Sequence, residues 1–133
     1  MRKVIFMLLL SAVNGNAAAE WVEVGYNSVA TVYVDPATIH RDGNLVKMGS
    51  LYNLKTAIVS MTNGKPYASQ KMHSEYDCKE EQWRMLYFSW YSGNMGEGQM
   101  VEYLSDAYKW ERIPLGSGNE ILWQIACGKI KLR

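Results

Sequence analysis

The first nineteen residues constrain what the rest of this chain can become. Arg2 and Lys3 are basic, residues 4–13 are apolar apart from Ser11, and Ala17, Ala18 and Ala19 supply the small side chains of a cleavage site. That is the layout of a secretory signal peptide. Cleavage after Ala19 would leave residues 20–133 as the mature protein; an uncut leader would instead serve as an N-terminal anchor helix. The apolar run is shorter than the roughly 20 residues a bilayer-spanning helix takes, so no stable membrane span is expected after cleavage. No cysteine lies near the cleavage point, so there is no lipobox to carry a lipid. The expected destination is the periplasm or the outer cell surface.

Removal of the leader leaves 114 of the 133 residues, enough for one domain with a real core and too few for a second. Loss of Arg2 and Lys3 takes the formal net charge from +1 to −1. Nothing in that balance suggests a nucleic-acid partner. Export also bears on Cys78 and Cys127, the chain's two cysteines. An oxidising compartment closes such a pair into a disulfide. Two other uses stay open: metal ligation, for which neither cysteine has a C-x-x-C neighbour, and a catalytic thiol with a histidine brought near in space.

From Trp21 onward, apolar and polar residues alternate. Residues 30–34 (Ala-Thr-Val-Tyr-Val) have the β-branched and aromatic character of a strand. Asp35-Pro36 should end that strand, because proline lacks a ladder donor and restricts the residue before it, and a helical turn is expected over residues 37–40. Asp42-Gly43 marks a tight turn, and residues 45–54 read as a strand with Val46, Met48, Ser50 and Tyr52 on one face. Asn63-Gly64 is the strongest hairpin signal, both central residues of the favoured turn needing positive φ. Two more strands follow over residues 67–78 and 83–91, joined by a charged turn at Lys79, Glu80 and Glu81. In the second of these, Trp83, Met85 and Tyr87 should face one way and Arg84, Leu86, Phe88 and Trp90 the other. Residues 99–104 and 108–113 are further strand candidates.

The last segment differs in kind. Ser117-Gly118-Asn119-Glu120 fits a capping box, Ile121, Leu122, Ile125 and Ala126 recur at helical spacing, and Gly128 suits the position just past a helix end. The expected fold is α+β: an antiparallel sheet of about six strands with a C-terminal helix packed on one face, tied by one disulfide.

The same reading yields no catalytic or metal site. His40 and His73 each stand alone among polar residues, with no partner at helical spacing. No nucleophile elbow is present, and the glycine-rich stretch over residues 92–98 leads into a strand and lacks the Gly-Lys-Ser/Thr ending of a phosphate loop. No cofactor is expected. What is abundant is aromatic surface, five tryptophans and nine tyrosines. A thin sheet with one helix cannot bury them all, and tyrosine and tryptophan favour protein interfaces. A protein-binding or dimer face on the open side of the sheet competes with solvated cross-strand pairs as the explanation.

Trp21, Val34-Asp35-Pro36-Ala37-Thr38-Ile39, Glu75-Tyr76-Asp77-Cys78, Tyr91-Ser92-Gly93 with Gly96 and Gly98, Trp110, Pro114-Leu115-Gly116-Ser117 and Ala126-Cys127 together resemble the surface-adhesin protein E family of Gram-negative bacteria. The resemblance spans residues 21–128. It implies an antiparallel sheet with a C-terminal helix, a disulfide between Cys78 and Cys127, and an option of homodimerisation. It also implies a non-enzymatic binding protein whose partners are host plasma or extracellular-matrix proteins such as vitronectin and laminin. No motif marks the binding surface. The alternative is a soluble periplasmic protein of the same fold with an envelope housekeeping role.

Overall fold

The computed structural model describes residues 19–132. Apart from Ala19, the expected leader lies outside them. Seven strands form one antiparallel sheet: β1 (Val22–Tyr26), β2 (Ala30–Asp42), β3 (Leu45–Val59), β4 (Pro66–Asp77), β5 (Gln82–Tyr91), β6 (Met100–Leu104) and β7 (Glu111–Arg112). Strands β1 to β6 neighbour one another in chain order, and the short β7 pairs with β5 beside Gln82 and Trp83. One helix, α1 (Gly118–Ala126), follows. Among the described residues no helix is long and apolar enough to cross a membrane.

The helix lies against one face of the sheet, called here the helix face. Val32, Val34, Val46, Met48 and Tyr76 meet Leu122, Trp123, Ile125 and Ala126 there, with Ile113 closing the gap. Full burial of a side chain such as Leu122 or Ile125 is worth roughly 1.5–3 kcal/mol, so this seam anchors a helix too short to persist alone. Trp123 adds direction to the packing: its indole N–H donates to the Asp77 carbonyl at 2.9 Å. Cys78 follows β4 directly and is joined to Cys127 at the helix C-terminus. The expected disulfide therefore welds helix to sheet. Both helix ends are satisfied: the Ser117 hydroxyl accepts from the Glu120 amide. At the other end Gly128, at φ 75°, closes a Schellman turn, with Gly128 and Lys129 amides donating to the Ile125 and Gln124 carbonyls. Glu120 reaches back to the Gly116 amide instead of Ser117, one residue beyond the expected capping box.

Five expectations need correction. Asp35-Pro36 does not end β2; the strand loops out of the β3 ladder between Asp35 and His40, then resumes pairing as far as Asp42. The loop-out absorbs the donor that Pro36 lacks. Asp35 Oδ1 accepts from the Ala37 amide, and Thr38 Oγ1 donates to the Asp35 carbonyl while accepting from the Gly49 amide. A Cβ at Gly49 would stand 3.1 Å from Thr38 Oγ1, so the Thr38 side chain would have to give by a few tenths of an ångström to admit one.

The β3–β4 connection is not a two-residue turn. It spans residues 60–65, closed by Ser60 and Lys65, and only Gly64 has positive φ. Within β5, a bulge opposite His73 and Ser74 leaves Leu86 without a partner, so Tyr87 joins the face of Arg84 and departs from that of Trp83 and Met85. In the last strand candidate only Glu111–Arg112 pairs as a strand. On the helix, Ile121 turns outward and Trp123 takes its place in the core.

Candidate functional site

Among the described residues the sheet's other face carries no α-helix. The ladders place residues on it in rows: Lys47, Glu75 and Arg84; then Asp35, Gly49, His73 and Tyr87; then Tyr33, Leu51, Lys71, Ser89 and Tyr103; then Asn53, Ser69 and Tyr91. The first row is electrostatically closed. Arg84 donates through Nε and Nη2 to a nearly buried Glu75 carboxylate at 3.0 and 2.8 Å, and its guanidinium stacks 4.7 Å from the Trp110 ring centre.

The last row is closed differently. The glycine-rich stretch over residues 92–98 folds back across the sheet as a strap. Asn94 Nδ2 donates to Asn53 Oδ1 and the Leu54 carbonyl, the Met95 amide donates to Asn53 Oδ1, and the Gly96 amide donates to Ser69 Oγ. Ser69 Oγ in turn donates to the Gly93 carbonyl at 2.6 Å. Met95 takes a positive φ of 58° in the strap without being glycine, but Gly96 and Gly98 combine positive φ with no room for a Cβ beside Lys71 and Ser92, and a Cβ on Gly93 would lie 2.9 Å from the Glu97 carbonyl. The stretch read as a glycine-rich loop is thus the cover over Ser69, which is fully buried.

Between these closed ends lies a depression of about 300 Å³, its wall including Trp21, Asp35, His73, Tyr87, Met100 and Tyr103. A run of rings crosses it from strand to strand. His73 stacks on Tyr87 with centroids 5.0 Å apart and planes within 9°, and Tyr87 meets Tyr103 at 6.2 Å. Lys71 holds its ammonium 4.9 Å from the Tyr91 ring centre. Partial burial, and then the positive charge of Lys47, hold the His73 imidazole below its ordinary pKa, which favours the uncharged ring. Burial and the neighbouring Tyr103 push Tyr87 above the ordinary phenol value. Tyr87, Met100 and Tyr103 nevertheless remain 41%, 55% and 51% exposed.

The abundant aromatic residues therefore divide. Tyr76, Trp83 and Trp123 serve the helix face, Trp90 stacks on Tyr67, and Tyr87, Tyr91 and Tyr103 gather on the open face. His73 and Lys71 also belong to that group, which residue-by-residue reading missed. The alternation Lys71, His73, Glu75 along β4 was the signal that could have found them. His40 lies elsewhere, beside a smaller hollow with Asp42, Lys47 and Glu75. Among the described residues no cluster of three or more His, Cys, Asp and Glu is placed to hold a metal, and both cysteines are in the disulfide. The chemistry on offer at the open face is stacking, apolar contact and hydrogen bonding, with the Lys71 ammonium and the Asp35 carboxylate as its charged groups.

A family model described as surface-adhesin protein E matches residues 21–128. Among solved structures, Haemophilus influenzae protein E superposes with a TM-score of 0.64 at 14% identity, over 86% of this chain and 88% of that one. Crystal form II of the same protein gives 0.62 at 14% identity over 85% and 98%. Protein E from non-typeable Haemophilus influenzae gives 0.62 at 14% identity over 85% and 78%. No curated protein sequence matches the chain. The structural likeness speaks for the fold, and the family match takes in every strand, the helix and both cysteines: the chain belongs to the surface-adhesin protein E family.

Proposed function

We propose that this chain is an exported, non-enzymatic binding domain that holds a protein partner on the open face, with host plasma or extracellular-matrix proteins as the partner class. The observation that carries this reading is the pair Tyr87 and Tyr103, half exposed beside a depression on a face that, among the described residues, no element covers there. Tyrosine combines ring area with a hydrogen-bonding tip at low entropic cost, which is why it recurs where interfaces concentrate their energy. Membership of a surface-adhesin family supports the partner class.

The first test is accessibility. Protease or antibody access to the domain on intact cells supports display at the surface; protection until the outer membrane is permeabilised would leave a periplasmic protein with an envelope role and end the host-binding reading. For a displayed protein, immobilised vitronectin and laminin are then offered to wild type and to the Tyr87→Ala/Tyr103→Ala variant. Loss of about 2 kcal/mol, roughly 30-fold in affinity, is expected from the variant. Equal binding by both would move the site off this face. A homodimer through the same rings would show as a concentration-dependent mass that the variant loses.

A further inference from the structure

The connection between β3 and β4 reads Ser60-Met61-Thr62-Asn63-Gly64-Lys65. An asparagine followed by glycine is chemically labile, because glycine has no Cβ to obstruct its backbone nitrogen from reaching the preceding side chain. The Gly64 nitrogen gives up its proton and attacks Asn63 Cγ. A nitrogen–carbon bond closes a five-membered imide, the Cγ–Nδ2 bond breaks and ammonia leaves. Water then opens the ring at either carbonyl, giving aspartate or its β-linked isomer. Only water is consumed, and Asn63 and Gly64 are exposed to it.

In the fold each reacting group is engaged. Asn63 Oδ1 accepts from the Lys65 amide at 2.9 Å, Nδ2 donates to the Val101 carbonyl at 3.1 Å, and the Gly64 N–H donates to the Ser60 carbonyl at 2.9 Å. The carboxamide is thus fixed at both ends, and the attacking nitrogen's proton is already committed. Two of the tip's side chains reach across to β6, since Ser60 Oγ also donates to Glu102 Oε1 at 3.2 Å. Strand β6 ends the main strand order and carries Tyr103. Edge strands need some such restraint, because unpaired backbone groups invite pairing with other chains.

We propose that Asn63-Gly64 is a deamidation site kept latent by the hydrogen bonds of the hairpin tip, and that its reaction loosens β6. The carboxylate formed at position 63 has no proton to give the Val101 carbonyl and adds negative charge next to Glu102. Reaction requires the tip to open first, so folding governs its rate.

Two measurements decide this. Peptide mapping by mass spectrometry follows conversion at position 63 in the folded, disulfide-bonded protein and in the same protein unfolded in urea at one pH and temperature. Conversion at least about tenfold slower in the folded protein is expected; equal rates would overturn the latency. Hydrogen exchange is then compared between wild type and Asn63→Asp. Faster exchange confined to β6 and the tip, with β2 and α1 unchanged, is the expected result, and unchanged exchange in β6 would show that the Asn63 donor does not hold the strand.

Discussion

The helix face and the open face are drawn from alternate residues of the same strands, yet they are finished in different ways. On the helix face, Tyr76, Trp83 and Trp123 are absorbed into a seam with α1, and the disulfide makes that seam covalent. The Tyr76 phenol is so completely enclosed that burial, with a contribution from Tyr52, drives its pKa far above the ordinary value. The open face has a strap at one end and an ion pair at the other, and between them Tyr87 and Tyr103 keep much of their surface in water. Aromatic content alone therefore says nothing about role. Whether a ring stabilises the fold or awaits a partner depends on which side of the pleat it occupies.

That difference can be broken from the helix side, where the largest effects are expected. Replacing both cysteines by serine should lower unfolding free energy by about 4 kcal/mol, the loop-closure value for a bridge spanning 49 residues, measured by urea denaturation of the two proteins. Leu122→Ala removes a 1%-exposed side chain from the centre of the seam and should cost about 3 kcal/mol by the same measurement. The open face should respond in the opposite sense. Tyr87→Ala and Tyr103→Ala should each change stability by less than about 1 kcal/mol, and the pair should still abolish most partner binding. If the double variant unfolds as readily as Leu122→Ala, Tyr87 and Tyr103 are core residues and the division between the faces fails.

The helix face was legible in the sequence because its signals are local. Ser117 and Gly128 announce the helix ends through rules that need only a few neighbours, and Val46, Met48 and Tyr52 lie on an uninterrupted stretch of β3 where period two holds. The open face depends on two irregularities that no short pattern announces. Leu86 is the extra residue in β5, and one extra residue exchanges the faces of everything beyond it, so strict alternation groups Tyr87 with Trp83 where the fold groups it with Arg84. Pro36 by itself signals the end of a strand, whereas Asp35 and Thr38 supply the hydrogen bonds that let β2 loop out and resume. In the sequence His73 stands isolated, because its partner, Tyr87, lies across a bulged ladder and not at a fixed spacing along the chain.

The smallest effect separates the faces by pH. Burial and then the charge of Lys47 lower the folded-state pKa of His73, whereas in the unfolded chain the imidazole titrates near its ordinary value of 6.5. Between the folded value and 6.5 the unfolded state binds more protons than the native state, so stability rises with pH across that window. The contribution is fully present above pH 6.5 and is lost as pH falls from there toward the folded pKa. His73→Gln should flatten the stability curve in that window, while Leu122→Ala should displace the whole curve downward by a constant amount. Parallel curves for wild type and His73→Gln, measured by thermal unfolding below pH 7, would mean that His73 meets solvent as freely in the folded protein as in the unfolded chain, and that the stack with Tyr87 does not shape the open face.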